Sequence, residues 1–211
     1  MHKYDIEKID KLNICINETI TVTENIGVRY SLSLPFKNVT AGLTITIVLM
    51  NPSTANLIHS DGTVNKLINF FYNYKIDGLR VKKLNIGNII PVYSSNPKDV
   101  ALKLKTLNRM NMLNEIRCKN KKVLKKIIDE SDKVILAWGK PGPKTIHNLF
   151  YYSQVNDFIY LTENIQKSFN VFKIENTKSI LTENGDPRHV RGSVKISGLS
   201  SITIEELFGI K

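Results

Sequence analysis

Short apolar runs alternate with amphipathic segments along the chain, and this alternation predicts the fold. Residues 44–50 and 133–138 are almost entirely apolar or β-branched, which is typical of strands buried on both faces of a parallel sheet. Residues 79–90 predict a further strand, and residues 158–161 and 171–174 are shorter candidates. Strands that alternate with helices indicate a single α/β domain around a central, mainly parallel sheet of about four strands.

The remaining segments predict a hairpin and several helices. Residues 19–34 alternate as the two strands of an N-terminal β-hairpin do. Helical spacing begins after Asp61 or Thr63, either of which could cap the helix. A basic helix is predicted over residues 107–130, and a further helix is predicted to end near Leu149.

Composition limits the class of protein. The 211 residues suit one domain, and a hydrophobic fraction of 42% suffices for a sizeable core. Since no apolar run approaches the ~20 residues of a membrane helix and the first residues are polar, we expect a cytoplasmic monomer without a membrane partner. Cys15 and Cys118 are far apart and lack metal-ligand spacing, so we expect free thiols.

The charge of the chain is strongly positive. Thirty Lys and Arg residues against nineteen Asp and Glu give a formal charge of +11, which favours a polyanionic partner such as DNA. The alternative is an A·T-rich coding sequence, which enriches lysine without any function. The basic face of helix 107–130 is open to the same two interpretations, DNA contact or an ordinary solvated surface.

Polar loops follow the predicted strands at their carboxyl ends. They are residues 51–55, 88–97 and 139–143. Open α/β sheets bind ligands beyond this edge of the sheet. The sequence therefore predicts a site built around Met50-Asn51-Pro52-Ser53-Thr54-Ala55.

Several short motifs resemble an uncharacterised bacterial and phage family, a domain of unknown function. The resemblance covers roughly residues 28–190 and is carried by five elements: Leu49-Met50-Asn51-Pro52-Ser53-Thr54-Ala55, Asp61-Gly62-Thr63, Asn88-Ile89-Ile90-Pro91 with Asn96-Pro97-Lys98-Asp99, Ala137-Trp138-Gly139, and Gly185-Asp186-Pro187-Arg188-His189.

The order of these motifs also resembles, more distantly, the uracil-DNA glycosylase superfamily. The resemblance implies a three-layer α/β/α fold and hydrolysis of the N-glycosidic bond of a uracil-like or modified pyrimidine that is flipped out of DNA. His189 is followed by Val190 and Arg191, whereas the superfamily has Pro-Ser there. The matching segments are Leu49-Met50-Asn51-Pro52-Ser53, Asn65-Lys66-Leu67-Ile68, Leu84-Asn85, Gly87-Asn88, Trp138-Gly139-Lys140 and His189.

These residue types suit the chemistry of base release. Asn51 could hold the attacking water through its amide oxygen, and His189 could donate a hydrogen bond to the departing base. Asn88 or Asn85 could recognise a pyrimidine edge, because one amide supplies a donor and an acceptor. The other expected site residues are Pro52, Ser53 and Asp61 in the base pocket and Lys66, Lys140, Arg188 and Arg191 against the DNA backbone.

Each of these residues also has a purely structural interpretation. Asn51-Pro52 could form a turn, Asp61 could only cap a helix, and His189 could be a solvated loop residue. Asn88 could satisfy backbone groups, and Trp138 could pack in the core rather than stack on a base.

Three functions stay open from the sequence. The leading one is a DNA glycosylase without metal or cofactor, and the others are a non-catalytic DNA-sensing module on the same fold and an enzyme acting on a free nucleotide or nucleoside. The chain has neither a G-x-x-x-x-G-K-[ST] phosphate loop nor a G-x-G-x-x-G dinucleotide motif. No His and Cys cluster has the spacing of a zinc site.

Overall fold

The computed structural model describes residues 2–94, 96–141, 146–163, 165 and 167–207. A short 3-10 helix, Lys11–Asn13, follows the first strand. In chain order the elements are β1 (His2–Lys3), β2 (Cys15–Thr23), β3 (Ile26–Pro35), β4 (Leu43–Leu49), β5 (His59–Ser60), α1 (Gly62–Asn73), β6 (Val81–Asn88), α2 (Pro97–Arg109), α3 (Leu113–Asp129), β7 (Lys133–Leu136), α4 (Asn148–Thr162), β8 (Phe169–Ile174), β9 (Ile196–Ile202) and α5 (Ile204–Leu207).

A mixed sheet forms the centre of this α/β chain. In the described part it has seven strands in the order β2-β3-β6-β4-β7-β8-β9. Strands β6, β4, β7 and β8 are parallel to one another, whereas β2, β3 and β9 add antiparallel pairs at the two edges. The prediction of about four mainly parallel strands therefore describes the middle of the sheet and misses its antiparallel extensions.

The predicted N-terminal hairpin is confirmed, since β2 and β3 pair antiparallel from Cys15 with Ser33 to Thr23 with Ile26. Strand β3 also pairs with β6, so the hairpin extends the main sheet. Its position explains why the sheet exceeds the prediction: alternation identifies a hairpin, but not the strand beside which the hairpin docks.

Side chains of β4 divide between two apolar clusters. Ile45 and Ile47 belong to the cluster that contains the buried face of α1, whereas Val48 belongs to the cluster that contains α3 and α4. Each buried aliphatic side chain contributes about 1.5–3 kcal/mol relative to exposure. The lack of alternation in residues 44–50 thus reflects a strand that is covered on both faces.

Helix boundaries differ from the prediction in two places. The prediction of a basic helix over residues 107–130 is confirmed for residues 113–129, which form α3. Its start is wrong, because α2 ends at Arg109 and Asn111 adopts a positive φ of 58° before α3 begins. The helix predicted to end near Leu149 begins there instead, at Asn148, and it includes residues 158–161, which were predicted as a strand. Residues 142–145, which belong to the preceding motif, lie outside the described residues.

In the described part, no helix combines the length and apolarity needed to cross a membrane. Cys15 and Cys118 are both free and exposed, as the sequence predicts.

Candidate functional site

A cavity of about 560 Å³ lies where the parallel strands end. The loop after β4 contributes Asn51 and Ser53, and the loop after β7 contributes Gly139 and Lys140. The three loops that the sequence placed at the carboxyl edge all reach this cavity, together with the segment between β8 and β9. Its other described lining residues are Arg29, Leu49, Met50, Asp61, Thr63, Val64, Ser94, Asn96, Trp138, Ile174, Thr177, Thr182, Arg188, His189, Arg191 and Val194.

Asn51 is held in place by its amide nitrogen. Its Nδ2 donates to the carbonyl oxygen of Ser94 at 2.9 Å and to that of Pro52 at 3.1 Å. A further hydrogen bond from the Ser94 amide to the Pro52 carbonyl, at 2.9 Å, ties the two loops together. Because Nδ2 is committed to the backbone, the amide presents Oδ1, which accepts no hydrogen bond from a described residue, as its acceptor for a ligand or water.

Asp61 has two functions at once. Its Oδ1 accepts a hydrogen bond of 2.8 Å from the Val64 amide, which confirms Asp61 as the N-cap of α1. The same side chain lines the cavity, although it is only 8% exposed. The cap therefore fixes a carboxylate at the edge of the cavity.

His189 reaches the cavity from the segment before β9, and its loop is built by short-range hydrogen bonds. Thr182 and Asp186 exchange two hydrogen bonds, of 2.9 and 3.1 Å, and the Gly139 amide donates to the Pro187 carbonyl at 2.8 Å. Gly139 has a positive φ of 68°, and a Cβ there would lie 2.9 Å from the Cβ of His189. Glycine is therefore required for this close approach.

The imidazole of His189 is uncharged at neutral pH. Burial, and then the positive charges of Arg191 and Lys66, lower the pKa of His189 from 6.5 to about 4. Nδ1 is buried and has no hydrogen-bond partner among the described residues. A neutral imidazole carries one N–H donor and one acceptor, so it can donate a hydrogen bond without transferring charge.

Three further cations line the cavity: Lys140, Arg188 and Arg191. Arg188 is oriented by a hydrogen bond of 2.9 Å from its Nε to the Ser179 carbonyl. No ion pair among the described residues involves any of the three. The cavity is consequently electropositive, with Asp61 as the only acidic residue among its described lining residues.

Four of the expected site residues do not line the cavity. Pro52 and Lys66 support it: the Lys66 amine donates to the backbone carbonyls of Val190 and Gly192, which anchors the segment beside His189 to α1. Asn85 accepts a hydrogen bond of 2.6 Å from Ser33 inside the sheet. Asn88 is fully buried, and neither its Oδ1 nor its Nδ2 finds a partner among the described residues.

Arg29 is a lining residue that the sequence did not indicate. It lies in β3 between Val28 and Tyr30 and is 1% exposed. Its environment comes from distant segments, since it donates to the Ala55 carbonyl and lies 5.4 Å from the centroid of the Tyr93 ring. Nothing in the local pattern distinguishes this arginine from an ordinary surface residue of a hairpin.

The described residues contain no group of three His, Cys, Asp or Glu side chains arranged to hold a metal ion. We therefore assign no metal ligands in this cavity.

The chain is similar to a known family of proteins. A family model described as a protein of unknown function (DUF1643) matches residues 29–189, well over half of the chain. The chain belongs to this family. The match begins at Arg29 and ends at His189, so it contains most of the cavity but not Arg191 or Val194. No curated protein and no solved structure matches the chain.

Proposed function

We propose that this member of the DUF1643 family hydrolyses the N-glycosidic bond of a uracil-like or modified pyrimidine flipped out of DNA. One observation carries the proposal: the amide of Asn51 and the neutral imidazole of His189 line the same electropositive cavity. Its volume lies within the range of about 300–1,000 Å³ that small-molecule sites occupy, so a single nucleotide is a suitable occupant.

Two features of the fold support this reaction class. Four parallel strands end at the edge that carries the cavity, and helices pack against both apolar clusters. Both features support the three-layer arrangement that the resemblance to the uracil-DNA glycosylase superfamily implies. The motifs around Asn51, Trp138 and His189 follow the superfamily's order along the chain. This is a likeness of arrangement, and the chemistry has to be argued from the side chains.

The proposed reaction needs only positioning and electrostatics. Water adds its oxygen to C1′ of the sugar as the bond to the base nitrogen breaks, and the bonding electron pair leaves with the base. Asn51 accepts a hydrogen bond from the water through Oδ1, because its Nδ2 is already bound to Ser94 and Pro52. The neutral His189 ring donates a hydrogen bond to the developing base anion, which a proton released by the water finally neutralises.

In this proposal the cations of the cavity bind the DNA substrate. Lys140, Arg188 and Arg191 hold the phosphates on either side of the extruded nucleotide, and this contact also offsets the cost of unstacking the base. Ser53 also lines the cavity and supplies a hydroxyl. Asn88 and Asn85 have no part in this proposal, because neither lines the cavity.

The test is a base-release assay on single- and double-stranded oligonucleotides that contain uracil, a mismatched base or a modified pyrimidine. We expect the wild-type protein to produce abasic sites without added metal, and Asn51→Ala to reduce the rate at least about 10²-fold. The matched control is Asn56→Ala. Asn56 lies close to Asn51 in the chain, but its side-chain oxygen accepts hydrogen bonds from the backbone amides of Ile58 and His59. We expect this variant to keep base release.

The other outcomes separate the alternatives. Salt-sensitive DNA binding with no release of any base would contradict the enzyme and leave the DNA-sensing module. Turnover of a free nucleotide together with indifference to DNA would point to a nucleotide hydrolase. Full activity of Asn51→Ala would remove this residue from the reaction.

A further inference from the structure

The most deeply buried charged residue of the cavity is Arg29. Its side chain is 1% exposed, and yet it lines the same space as Asn51 and Asp61. One guanidinium nitrogen, Nη1, donates to the backbone carbonyl of Ala55. Nε is buried and makes no hydrogen bond to a described residue. Part of the donor capacity of the guanidinium is therefore unused.

The charge of Arg29 also lacks a direct counter-ion. No described carboxylate lies within 4.0 Å of it, and the Oδ1 atom of Asp61, which acts on Arg29 through its field, is already bound to the Val64 amide. Burial lowers the pKa of Arg29, and Tyr93, Asp61 and Tyr4 oppose this shift, Tyr93 also through a side-chain hydrogen bond. An arginine remains protonated even so, because its ordinary pKa is very high.

Burying a cation without a counter-ion costs free energy, and a bound anion offsets this cost. Tyr93 provides only a partial substitute, through its ring, whose centroid lies 5.4 Å from the guanidinium, and through a side-chain hydrogen bond, because a tyrosine carries no negative charge at neutral pH. We infer that Arg29 binds a phosphate group of the nucleotide that occupies this cavity. The assignment to a nucleotide rests on the proposed function, whereas the need for an oxyanion rests on Arg29 itself.

The surroundings favour phosphate over an uncharged group. A planar guanidinium offers several N–H donors in a fixed fork that matches phosphate oxygens. Ser53 lines the same cavity, while the Ser94 hydroxyl orients the loop through its hydrogen bond of 2.7 Å to the Asn96 carbonyl. Arg29 thus serves as the buried anion-binding residue of the cavity, whereas Lys140 and Arg191 are exposed and Arg188 is half-buried.

The experiment measures binding of a pyrimidine nucleoside, its 5′-monophosphate and a dinucleotide with one internal phosphodiester, by calorimetry at constant ionic strength. We expect the wild-type protein to bind the monophosphate or the dinucleotide at least about ten-fold more tightly than the nucleoside. A preference for the monophosphate indicates a free nucleotide or a strand end, and a preference for the dinucleotide indicates an internal phosphodiester.

Arg29→Met should bring this ratio close to one, and Arg29→Lys should keep part of it. The matched control is Arg80→Met, which removes an exposed arginine just before β6, at the opposite end of the strands. In the wild-type protein, inorganic phosphate should also raise the melting temperature more than chloride does. This measurement does not depend on whether any variant folds.

Equal affinity of the wild-type protein for nucleoside and phosphorylated ligands, or an unchanged ratio in Arg29→Met, would overturn the assignment. The two proposals can fail separately. Base release without a phosphate preference would contradict only the role of Arg29, and a phosphate preference without base release would contradict only the glycosylase.

Discussion

Two groups of positive charges on this chain look alike in the sequence and differ in the structure. On α3, Arg117 and Lys121 contact Asp157 at 2.7 and 2.9 Å, and Lys125 contacts Asp129 at 2.7 Å. The cavity has the opposite arrangement. Among the described residues, no ion pair involves Lys140, Arg188 or Arg191, and Arg29 is buried without a carboxylate in contact.

The difference indicates that a polyanion is attracted by cations without a counter-ion, and that the density of lysine and arginine alone does not predict where it binds. A cation that already contacts a carboxylate has little net field with which to attract a phosphate, even though such surface pairs contribute at most about 1 kcal/mol to stability. Affinity for a polyanion comes from cations that replace its condensed counter-ions. We therefore expect polyanions to bind at the cavity rather than along α3.

The largest expected effect comes from neutralising the cavity cations together. Lys140→Gln, Arg188→Gln and Arg191→Gln in one protein should lower DNA affinity about 10³-fold at about 50 mM salt, because three phosphate contacts are lost. The slope of log affinity against log salt should become shallower by roughly 3. Fluorescence anisotropy with a labelled oligonucleotide across a salt series measures both quantities.

The control protein loses the same number of positive charges from the ion pairs of α3. Its substitutions are Arg117→Gln, Lys121→Gln and Lys125→Gln. We expect this protein to lose less than about three-fold in affinity, mainly through the change in net charge. A loss on α3 equal to that at the cavity would show that ion pairing does not distinguish the two groups.

The next effect concerns His189, whose pKa is lowered by burial and then by the positive charges of Arg191 and Lys66. In the unfolded chain this imidazole takes up a proton near pH 6.5, whereas in the folded protein it does so only near pH 4. As the pH falls between these values the unfolded state binds more protons, so wild-type stability decreases, by up to about 3 kcal/mol. Above about pH 7 this contribution is absent.

Urea unfolding of wild type and His189→Gln at pH 7 and at pH 4.5 measures this linkage. The wild type should lose more stability on acidification than the variant does, because glutamine does not titrate. Arg191→Gln should reduce the acid sensitivity, since Arg191 contributes to the low pKa, whereas Lys122→Gln on α3 should leave it unchanged. An equal loss in wild type and His189→Gln would mean that the imidazole is not held neutral.

Local sequence signals were sufficient for much of the fold. The apolar run at residues 44–50 corresponds to β4 within one residue, and Asp61 caps α1 as its position before a helical pattern indicates. The signals failed where tertiary contacts decide. Residues 158–161 are apolar enough for a strand, but Phe158 belongs to α4 and packs on Trp138, with 5.4 Å between the two ring centroids.

The candidate site shows the same division. Loops at strand ends were predictable, and Asn51, Ser53 and His189 therefore appear among the lining residues. Asn88 was not predictable in this way: it ends β6 at the correct edge, yet its side chain is fully buried. Arg29 could not be predicted as a site residue, because its partners, Ala55 and Tyr93, lie far along the chain. The spacing of residues within a strand carries no information about such contacts.

The smallest expected effect comes from a substitution that makes the paired cations of α3 resemble the unpaired cations of the cavity. Asp157→Asn removes the shared carboxylate of Arg117 and Lys121 while keeping the size of the side chain. Stability should fall by at most about 1 kcal/mol, because the three side chains are partly exposed. With two cations released, DNA affinity should rise a few-fold and the salt slope should steepen by about 1 to 2. Anisotropy across the same salt series measures the change, and Asp129→Asn, which releases Lys125 alone, should produce a smaller one. If neither variant gains affinity, α3 lies beyond the reach of bound DNA, and the cavity alone accounts for binding.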